Sequence, residues 1–509
     1  MRTDRRTART ADRRRATGVT GAALVVAVAL AGCTAGDGST ADGVSGEAGY
    51  VQPGPDESWV VPGPDSSEPP ADPVMTDPGQ DALSTFALDI DTGSYTRFRD
   101  AALNGMSIDP SEVRTEEFVN YFAQDYATPE AGLGVSIDAA VLPFRPEHRL
   151  VRVGITSAPA SNVSRTDADL VLVVDCSGSM SEAGKMETTR AALRTLVSSL
   201  RPTDRVAMVC YSTEARVVLE PTPLSERDGV LAAVEGLSPQ ESTNAAAGLA
   251  LGYDLAMSMR TEGRMTRVVL ISDGVANVGE TDPDGILARI STQAKAGINL
   301  VSVGVGITTY NDHLLEQLAD QGDGWHVYID SDAEAERVFG TGLTGSLVVA
   351  ATDARAQVEF DPAQVSGYRL LGYENRAVAD EDFRNDAIDG GEVFAGHATT
   401  ALYEVALREG SSAEPFVRAT VRYLDDAGRA VERTGTLSGA DVATSLGEAS
   451  PRLRQDLVVA VLTDRLVGGP WSSLVSDSDL RREAKALTKV LDGDPDVTQL
   501  VQLVDRVAT

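Results

Sequence analysis

Apolar residues in the middle of the chain form short continuous runs, separated by stretches with helical periodicity. Residues 170–174 are five consecutive apolar residues followed by Asp175, a pattern typical of a parallel strand covered on both faces. The alternation predicts an α/β fold with a doubly wound, mostly parallel, Rossmann-like sheet over residues 168–340. The predicted strands are 170–174, 205–211, 216–219, 267–272 and 299–304, and the helices between them are 182–200 and 244–259.

The segments on either side of this unit carry different patterns. We expect two helices over 94–122, the second beginning at Asp109-Pro110, because a cap followed by proline is typical of a helix start. Strand-like stretches lie both before and after the α/β unit, and helical periodicity returns from Pro451 onward. The predicted flanking parts are an N-terminal helical region over 82–133, a β-sandwich from 134–157 plus 351–436 into which the α/β unit is inserted, and a C-terminal helical region over 437–509.

The N-terminus has the pattern of an export signal. Seven arginines lie within the first 15 residues, and an apolar run follows over 19–31. This run is shorter than the roughly 20 residues of a membrane span, and the basic-then-apolar order is typical of a secretory signal. The run ends in Leu30-Ala31-Gly32-Cys33, which resembles the lipobox of bacterial lipoproteins. The resemblance implies removal of residues 1–32 and diacylation of Cys33, which would anchor the chain stably.

Two alternatives for this signal stay open. An ordinary signal peptide with a chance cysteine would release the protein, and Arg13 to Arg15 leave twin-arginine export possible. Beyond Cys33, residues 34–81 contain eight prolines and neither Lys nor Arg. We therefore expect 33–81 to be a disordered acidic Pro/Gly/Ser tether that holds the folded part away from a membrane.

Composition narrows the class of partner. The chain has 44 Lys and Arg against 76 Asp and Glu, a net charge of −32, which repels phosphate backbones and argues against nucleic acid. Three cysteines exclude a disulfide scaffold. Cys176 and Cys210 follow neighbouring strands; a bond is possible if their Cα atoms lie within about 7 Å, but we expect buried free thiols.

Oxygen-bearing side chains collect where the central strands end. Asp175, Ser177 and Ser179 occupy alternate positions of one loop, and Thr243 and Asp273 follow from two further loops. Open α/β sheets place ligands at the carboxyl ends of their strands. Five hard oxygens from three loops suit Mg²⁺, with Mn²⁺ or Ca²⁺ as alternatives.

This constellation resembles the metal-ion-dependent adhesion site of von Willebrand factor type A (VWA) domains. The resemblance implies direct ligation by Ser177, Ser179 and Thr243, water-mediated contacts from Asp175 and Asp273, and completion of the sphere by a carboxylate of the bound partner. Similar sites often carry glycines before the threonine, whereas Glu241 here adds charge and leaves the preferred metal open. Residues 84–95, 372–376 and 396–404 also resemble the flanks of bacterial VWA lipoproteins.

These features predict a cell-surface lipoprotein that binds an exposed Asp or Glu of an unidentified protein partner, not an enzyme and not a nucleotide-binding protein. A site without metal and a scaffold with a purely structural metal remain alternatives. A metal-dependent or aspartyl-type hydrolase is another, because Asp91-Thr92-Gly93-Ser94 resembles an aspartic protease loop. Such proteases need two aspartates that share a proton, and no second triplet occurs in this chain, so only a retroviral-type homodimer would supply both. We therefore expect a capped turn there, and a structural hydrogen bond at His397.

Overall fold

The computed structural model describes residues 74–507, apart from 89, 160–164, 183, 275–296, 307–311, 323, 343–346, 374–377, 386–389, 411–413 and 426. The expected signal at 1–32, Cys33 and the tether as far as residue 73 lie outside the described residues. Among the helices that are described, none combines the length and the apolar character that a membrane span requires.

The first part of the fold joins one strand, two helices and a hairpin. Its elements are β1 (Leu83–Ala87), α1 (Gly93–Leu103), α2 (Thr115–Tyr121), β2 (Leu133–Leu142) and β3 (Arg145–Ser157). Strand β1 lies where only helices were expected, and Thr76 pairs with Tyr368 within the expected tether. Both corrections have one cause: these short segments are extended because distant strands supply their hydrogen-bond partners, a preference that local patterns do not record.

The second N-terminal helix also begins later than expected. Asp109 caps a short 3-10 turn, Pro110–Glu112, by accepting a hydrogen bond from the Ser111 amide at 2.9 Å. The chain then extends, because the Ser94 hydroxyl donates to the Glu112 carbonyl at 2.6 Å and accepts from the Arg114 amide at 3.0 Å. These bonds to α1 postpone the helix to Thr115.

The central unit is a six-stranded sheet with the order β6-β5-β4-β7-β8-β9, in which only β6 runs antiparallel to its neighbour. Its elements are β4 (Asp167–Asp175), α3 (Lys185–Ser199), β5 (Arg205–Tyr211), β6 (Ala215–Pro223), α4 (Arg227–Glu235), α5 (Ala245–Met259), β7 (Arg264–Ser272), β8 (Ile298–Val305), α6 (Asp312–Gln321), β9 (Trp325–Ile329) and α7 (Asp332–Ala335). The α/β character and the doubly wound, mostly parallel sheet are confirmed.

Helices cover both faces of this sheet, which explains the continuous apolar run in β4. Leu170, Leu172 and Val174 pack in the same cluster as the buried side of α3, whereas Val171 and Val173 pack with the buried side of α5. All five side chains are fully buried. Because β4, β5, β7 and β8 are parallel, their carboxyl ends meet at one edge of the sheet.

Two antiparallel sheets flank the α/β unit, with the orders β1-β10-β14-β15 and β11-β13-β3-β2, and β12 pairs with β10. The later strands are β10 (Val349–Phe360), β11 (Val365–Leu371), β12 (Gly391–Phe394), β13 (Ala398–Leu407), β14 (Pro415–Leu424) and β15 (Ala430–Ser438). Strand β3 precedes the α/β unit in sequence and pairs with β13, which follows it. One hydrophobic core joins both sheets.

The chain continues into three helices, α8 (Pro451–Leu466), α9 (Asp477–Val490) and α10 (Pro495–Val507). Their apolar faces share one cluster with α1 and α2, in which Phe98 and Phe118 pack with Leu457 and Leu500. Helix α8 begins with a cap: the Ser450 hydroxyl accepts from the Leu453 amide at 3.1 Å, and proline occupies the first turn.

Candidate metal centre

Asp175 ends β4 at the base of the candidate site and is completely buried. Its Oδ1 accepts a hydrogen bond from the Ser177 amide at 2.8 Å. Its Oδ2 accepts from the Ser272 hydroxyl at 2.9 Å and from the Tyr211 hydroxyl at 3.1 Å. Donors from the loop itself, from β7 and from β5 thus fix the carboxylate. Tyr211 and Ser272 were not predicted as site residues, although both end strands beside β4.

The two loop serines meet Asp273, which follows β7. The hydroxyl oxygens of Ser177 and Ser179 lie 2.9 Å apart, and the Ser179 hydroxyl donates to Asp273 Oδ1 at 2.9 Å. Asp175, Ser177, Ser179 and Asp273 therefore form one hydrogen-bonded group. Hydroxyl and carboxylate oxygens in this arrangement fit a hard divalent cation.

The loop that carries Thr243 is fastened to this group. Gln240 donates its amide hydrogen to the Cys176 carbonyl at 2.7 Å, and Asn244 donates to the Ser212 carbonyl at 2.8 Å. Asn244 also caps α5 by accepting from the Ala247 amide at 3.1 Å. Thr243 lies between these two hydrogen-bonded residues and is buried, whereas Glu241, two positions earlier, is exposed. The fold thus brings the third loop to the edge of the sheet that holds the other four residues.

A disulfide joins Cys176 and Cys210, so the expectation of free thiols was wrong. The two Cα atoms lie 5.8 Å apart because β4 and β5 are parallel neighbours in register. The Cys176 amide also donates to the Tyr211 carbonyl at 2.8 Å. Since Cys176 lies between Asp175 and Ser177, the bond fastens the serine-bearing loop to the adjacent strand.

The charges at the site are only partly balanced. Burial raises the pKa of Asp175 to about 6, and the nearby Asp273 adds to the rise that hydrogen bonds from Ser177 oppose. Lys185 donates to Asp273 Oδ2 at 2.9 Å. The sequence pattern assigned no role to this lysine. No three His, Cys, Asp or Glu side chains group as metal ligands in the described part of the chain, this site included, where only two of the predicted ligands are carboxylates.

The other predicted residues lie away from this edge. Asp91 is buried before α1, and its Oδ1 accepts from the His326 amide at 2.7 Å, which ties that segment to β9. His397 follows a turn after β12; its amide donates to the Ser157 hydroxyl at 3.0 Å. Burial lowers the pKa of His397 to about 4. The Asp91 carboxylate and the main chain of His397 thus form structural hydrogen bonds.

Comparisons with known proteins agree with this geometry. Residues 169–340 match the family model "von Willebrand factor type A domain". The chain carries a VWA domain. Residues 67–152 match the model "von Willebrand factor", and residues 345–440 match "Uncharacterized protein YfbK, C-terminal". The VWA domain and its flanks thus correspond to separate family models.

Individual relatives extend the likeness. "Uncharacterized protein YfbK" of Escherichia coli is 35% identical over 337 residues, which are 64% of this chain and 59% of that protein. Inter-alpha-trypsin inhibitor heavy chain H3 of Mus musculus is 27% identical over 179 residues, or 33% of this chain and 20% of that protein. The chain therefore spans less than two thirds of either relative. A solved von Willebrand factor type A structure from Catenulispora acidiphila is 17% identical with a TM-score of 0.43, covering 76% of this chain and 98% of that one.

Proposed function

We propose that this chain is a lipid-anchored surface protein whose VWA domain captures a carboxylate of a protein partner through a bound divalent cation. The hydrogen-bonded group formed by Asp175, Ser177, Ser179 and Asp273 carries the proposal. VWA domains often mediate protein–protein interactions, which supports a protein as the partner.

The chain's own residues would divide the work of binding. Ser177, Ser179 and Thr243 would hold the cation. Because hydroxyl ligands are uncharged, most of its positive charge would remain available to attract a carboxylate. Asp175, fixed by Ser272 and Tyr211, and Asp273 would orient the bound waters. When bound, Mg²⁺ would supply a positive charge with a coordination position for an incoming oxygen.

Two further observations support a location outside the cytoplasm. Disulfides persist in oxidising compartments, and Cys176 is bonded to Cys210. The third cysteine, Cys33, follows an export-like sequence at the position expected for lipidation. The acidic composition suits an exposed protein that does not bind nucleic acid.

Thermal unfolding tests the cation site directly. We would compare the full chain in EDTA, Mg²⁺, Mn²⁺ and Ca²⁺ with the Ser177→Ala variant. A cation at 100 times its dissociation constant adds about 2.7 kcal/mol, which raises the melting temperature by roughly 3 °C when the whole folded part unfolds together. We expect Mg²⁺ or Mn²⁺ to produce this shift in the wild type and Ser177→Ala to lack it.

The matched control is Ser198→Ala, because Ser198 is an exposed serine near the far end of α3. It should keep the full metal-dependent shift. Absence of a shift in every metal would refute the cation site. Thr243→Ala distinguishes a metal that binds the partner from a structural metal. A lower melting temperature with partner capture retained in this variant would identify a structural metal.

A further inference from the structure

Lys185, the first residue of α3, is a nearly buried cation beside the metal centre. Its Nζ lies 2.9 Å from Asp273 Oδ2 and 2.8 Å from Glu182 Oε2, and its side chain is 6% exposed. A lysine in the first turn of a helix is unfavourable because it faces the positive end of the helix dipole. The two carboxylates, rather than the helix, therefore account for its place.

The fold leaves room for this side chain at Gly306, which follows β8. A Cβ atom at Gly306 would overlap the Cε, Cδ and Cγ atoms of Lys185, and the φ angle of Gly306 is +83°. Both the space and the backbone conformation therefore favour glycine at this position. The lysine stem lies across the glycine and directs the ammonium group toward Asp273.

Lys185 and the serines use different oxygens of the same carboxylate. Asp273 Oδ1 accepts from the Ser179 hydroxyl, and Oδ2 accepts from Lys185. A cation held by Ser177 and Ser179 would approach the Oδ1 side. Lys185 can therefore remain paired with Asp273 while the site is loaded.

We infer that Lys185 sets the charge of the metal centre, lowering its affinity for the cation and raising the affinity of the loaded site for a carboxylate. This inference rests on the proposed function. Glu182 is 47% exposed, so water screens its charge, whereas the buried Asp175, Asp273 and Lys185 together carry one negative charge. A divalent cation therefore gives these buried groups a net charge of +1, and an incoming carboxylate restores neutrality. Without Lys185 the loaded site would be neutral, and a carboxylate would leave an uncompensated negative charge at a largely buried site.

The Lys185→Met variant of the full chain tests both halves of the inference. Mn²⁺ affinity would be measured by titration calorimetry, and acetate binding to the loaded site by the relaxation of water protons near Mn²⁺. Removing a charge this close should tighten Mn²⁺ binding about ten- to a hundredfold and weaken acetate binding by a similar factor. Arg194→Met is the matched control, since it removes a positive charge from the same helix at an exposed pair with Glu235.

The outcomes separate the two proposals. Equal Mn²⁺ and acetate affinities in wild type and Lys185→Met would overturn the role of Lys185 and leave the proposed function intact. No Mn²⁺ binding by the wild type would overturn both. If circular dichroism shows that Lys185→Met does not fold, Lys185→Gln replaces it; that variant keeps a hydrogen-bond donor without the charge, and the same two results decide.

Discussion

At the residue scale, Glu404 on β13 shows how a buried carboxylate holds the sandwich to the C-terminal helices. It is fully buried, and it accepts hydrogen bonds from His148 Nδ1 at 2.5 Å, Arg369 Nη2 at 2.8 Å and Trp471 Nε1 at 3.0 Å. Burial alone would raise the pKa of Glu404, but the bonds from His148 and Arg369 hold it below its usual value. The ionised carboxylate is therefore the stabilising form.

We expect Glu404→Gln to destabilise the chain by roughly 3–5 kcal/mol, because it leaves buried donors without their charged partner. The lowered pKa means that this stabilisation is present at neutral pH and is lost as the pH falls through the pKa of the folded state. Urea unfolding from pH 7 to pH 3 should show a smaller loss of unfolding free energy in the variant than in the wild type. Equal loss in both would contradict the role given to Glu404.

A surface pair provides the comparison for Glu404. Glu359 and Arg418 lie 3.5 Å apart, with side chains 56% and 58% exposed. Such exposed pairs contribute at most about 1 kcal/mol, so Glu359→Gln should change stability little at any pH.

At the scale of elements, helix α5 approaches the sheet through its glycines. A Cβ atom at Gly248 would lie 2.6 Å from Cδ1 of the buried Tyr211 ring, which donates to Asp175. Gly229 in α4 is also helical, but its Cβ would meet nothing within 4 Å. A substitution by alanine therefore meets a buried ring at Gly248 and open space at Gly229.

We expect Gly229→Ala to stabilise the protein by up to about 1 kcal/mol, because alanine is the better helix former. Gly248→Ala should instead cost about 1–3 kcal/mol, because the added methyl group must displace the Tyr211 ring. The displacement should also weaken Mn²⁺ binding by loosening Asp175. Chemical denaturation and metal titration of both variants measure these effects; stabilisation by Gly248→Ala would show that helix and sheet can separate freely.

The elements that could be predicted well from the sequence are those whose local pattern alone determines the structure. The apolar run at 170–174 predicts a strand covered on both faces without any knowledge of the neighbouring strands. Asp175, Ser177 and Ser179 lie close together because all three belong to one short loop. Strand β1 and the bond between Cys176 and Cys210 depend on pairing with segments distant in sequence. The contact of Lys185 with Asp273 spans 88 positions, and no local pattern indicates it.

At the scale of the whole molecule, the VWA domain is inserted in the chain between a strand of one sheet of the sandwich and a strand of the other. Strand β3, which leads into the domain, belongs to one sheet, and β10, which leads out, belongs to the other. Phe394 of β12 packs against Trp325 of β9 with ring centroids 4.9 Å apart. The Arg267 guanidinium lies 4.7 Å and 4.9 Å from the centroids of these two rings. The VWA domain and the sandwich thus share buried contacts.

A second set of contacts, centred on Arg99 of α1, joins the VWA domain to the N-terminal helical region; we call it the Arg99 joint. Arg99 donates to both carboxylate oxygens of Asp330 at 2.7 Å and 2.6 Å, and to Glu334 Oε2 at 2.9 Å. The side chains of all three residues are at most 6% exposed. Because Asp330 follows β9 and Glu334 lies in α7, one guanidinium fastens α1 to the end of the VWA domain.

This joint should make the helical region and the VWA domain unfold together. Arg99→Met leaves Asp330 and Glu334 buried without their cation, so we expect a loss of roughly 3–5 kcal/mol and a calorimetric transition that splits in two. Mn²⁺ should then raise only the transition of the VWA domain, whereas in the wild type it raises the whole. Arg384→Met, at an exposed pair with Glu432, should keep a single transition. A single metal-dependent transition in Arg99→Met would mean that the sandwich contacts alone couple the parts.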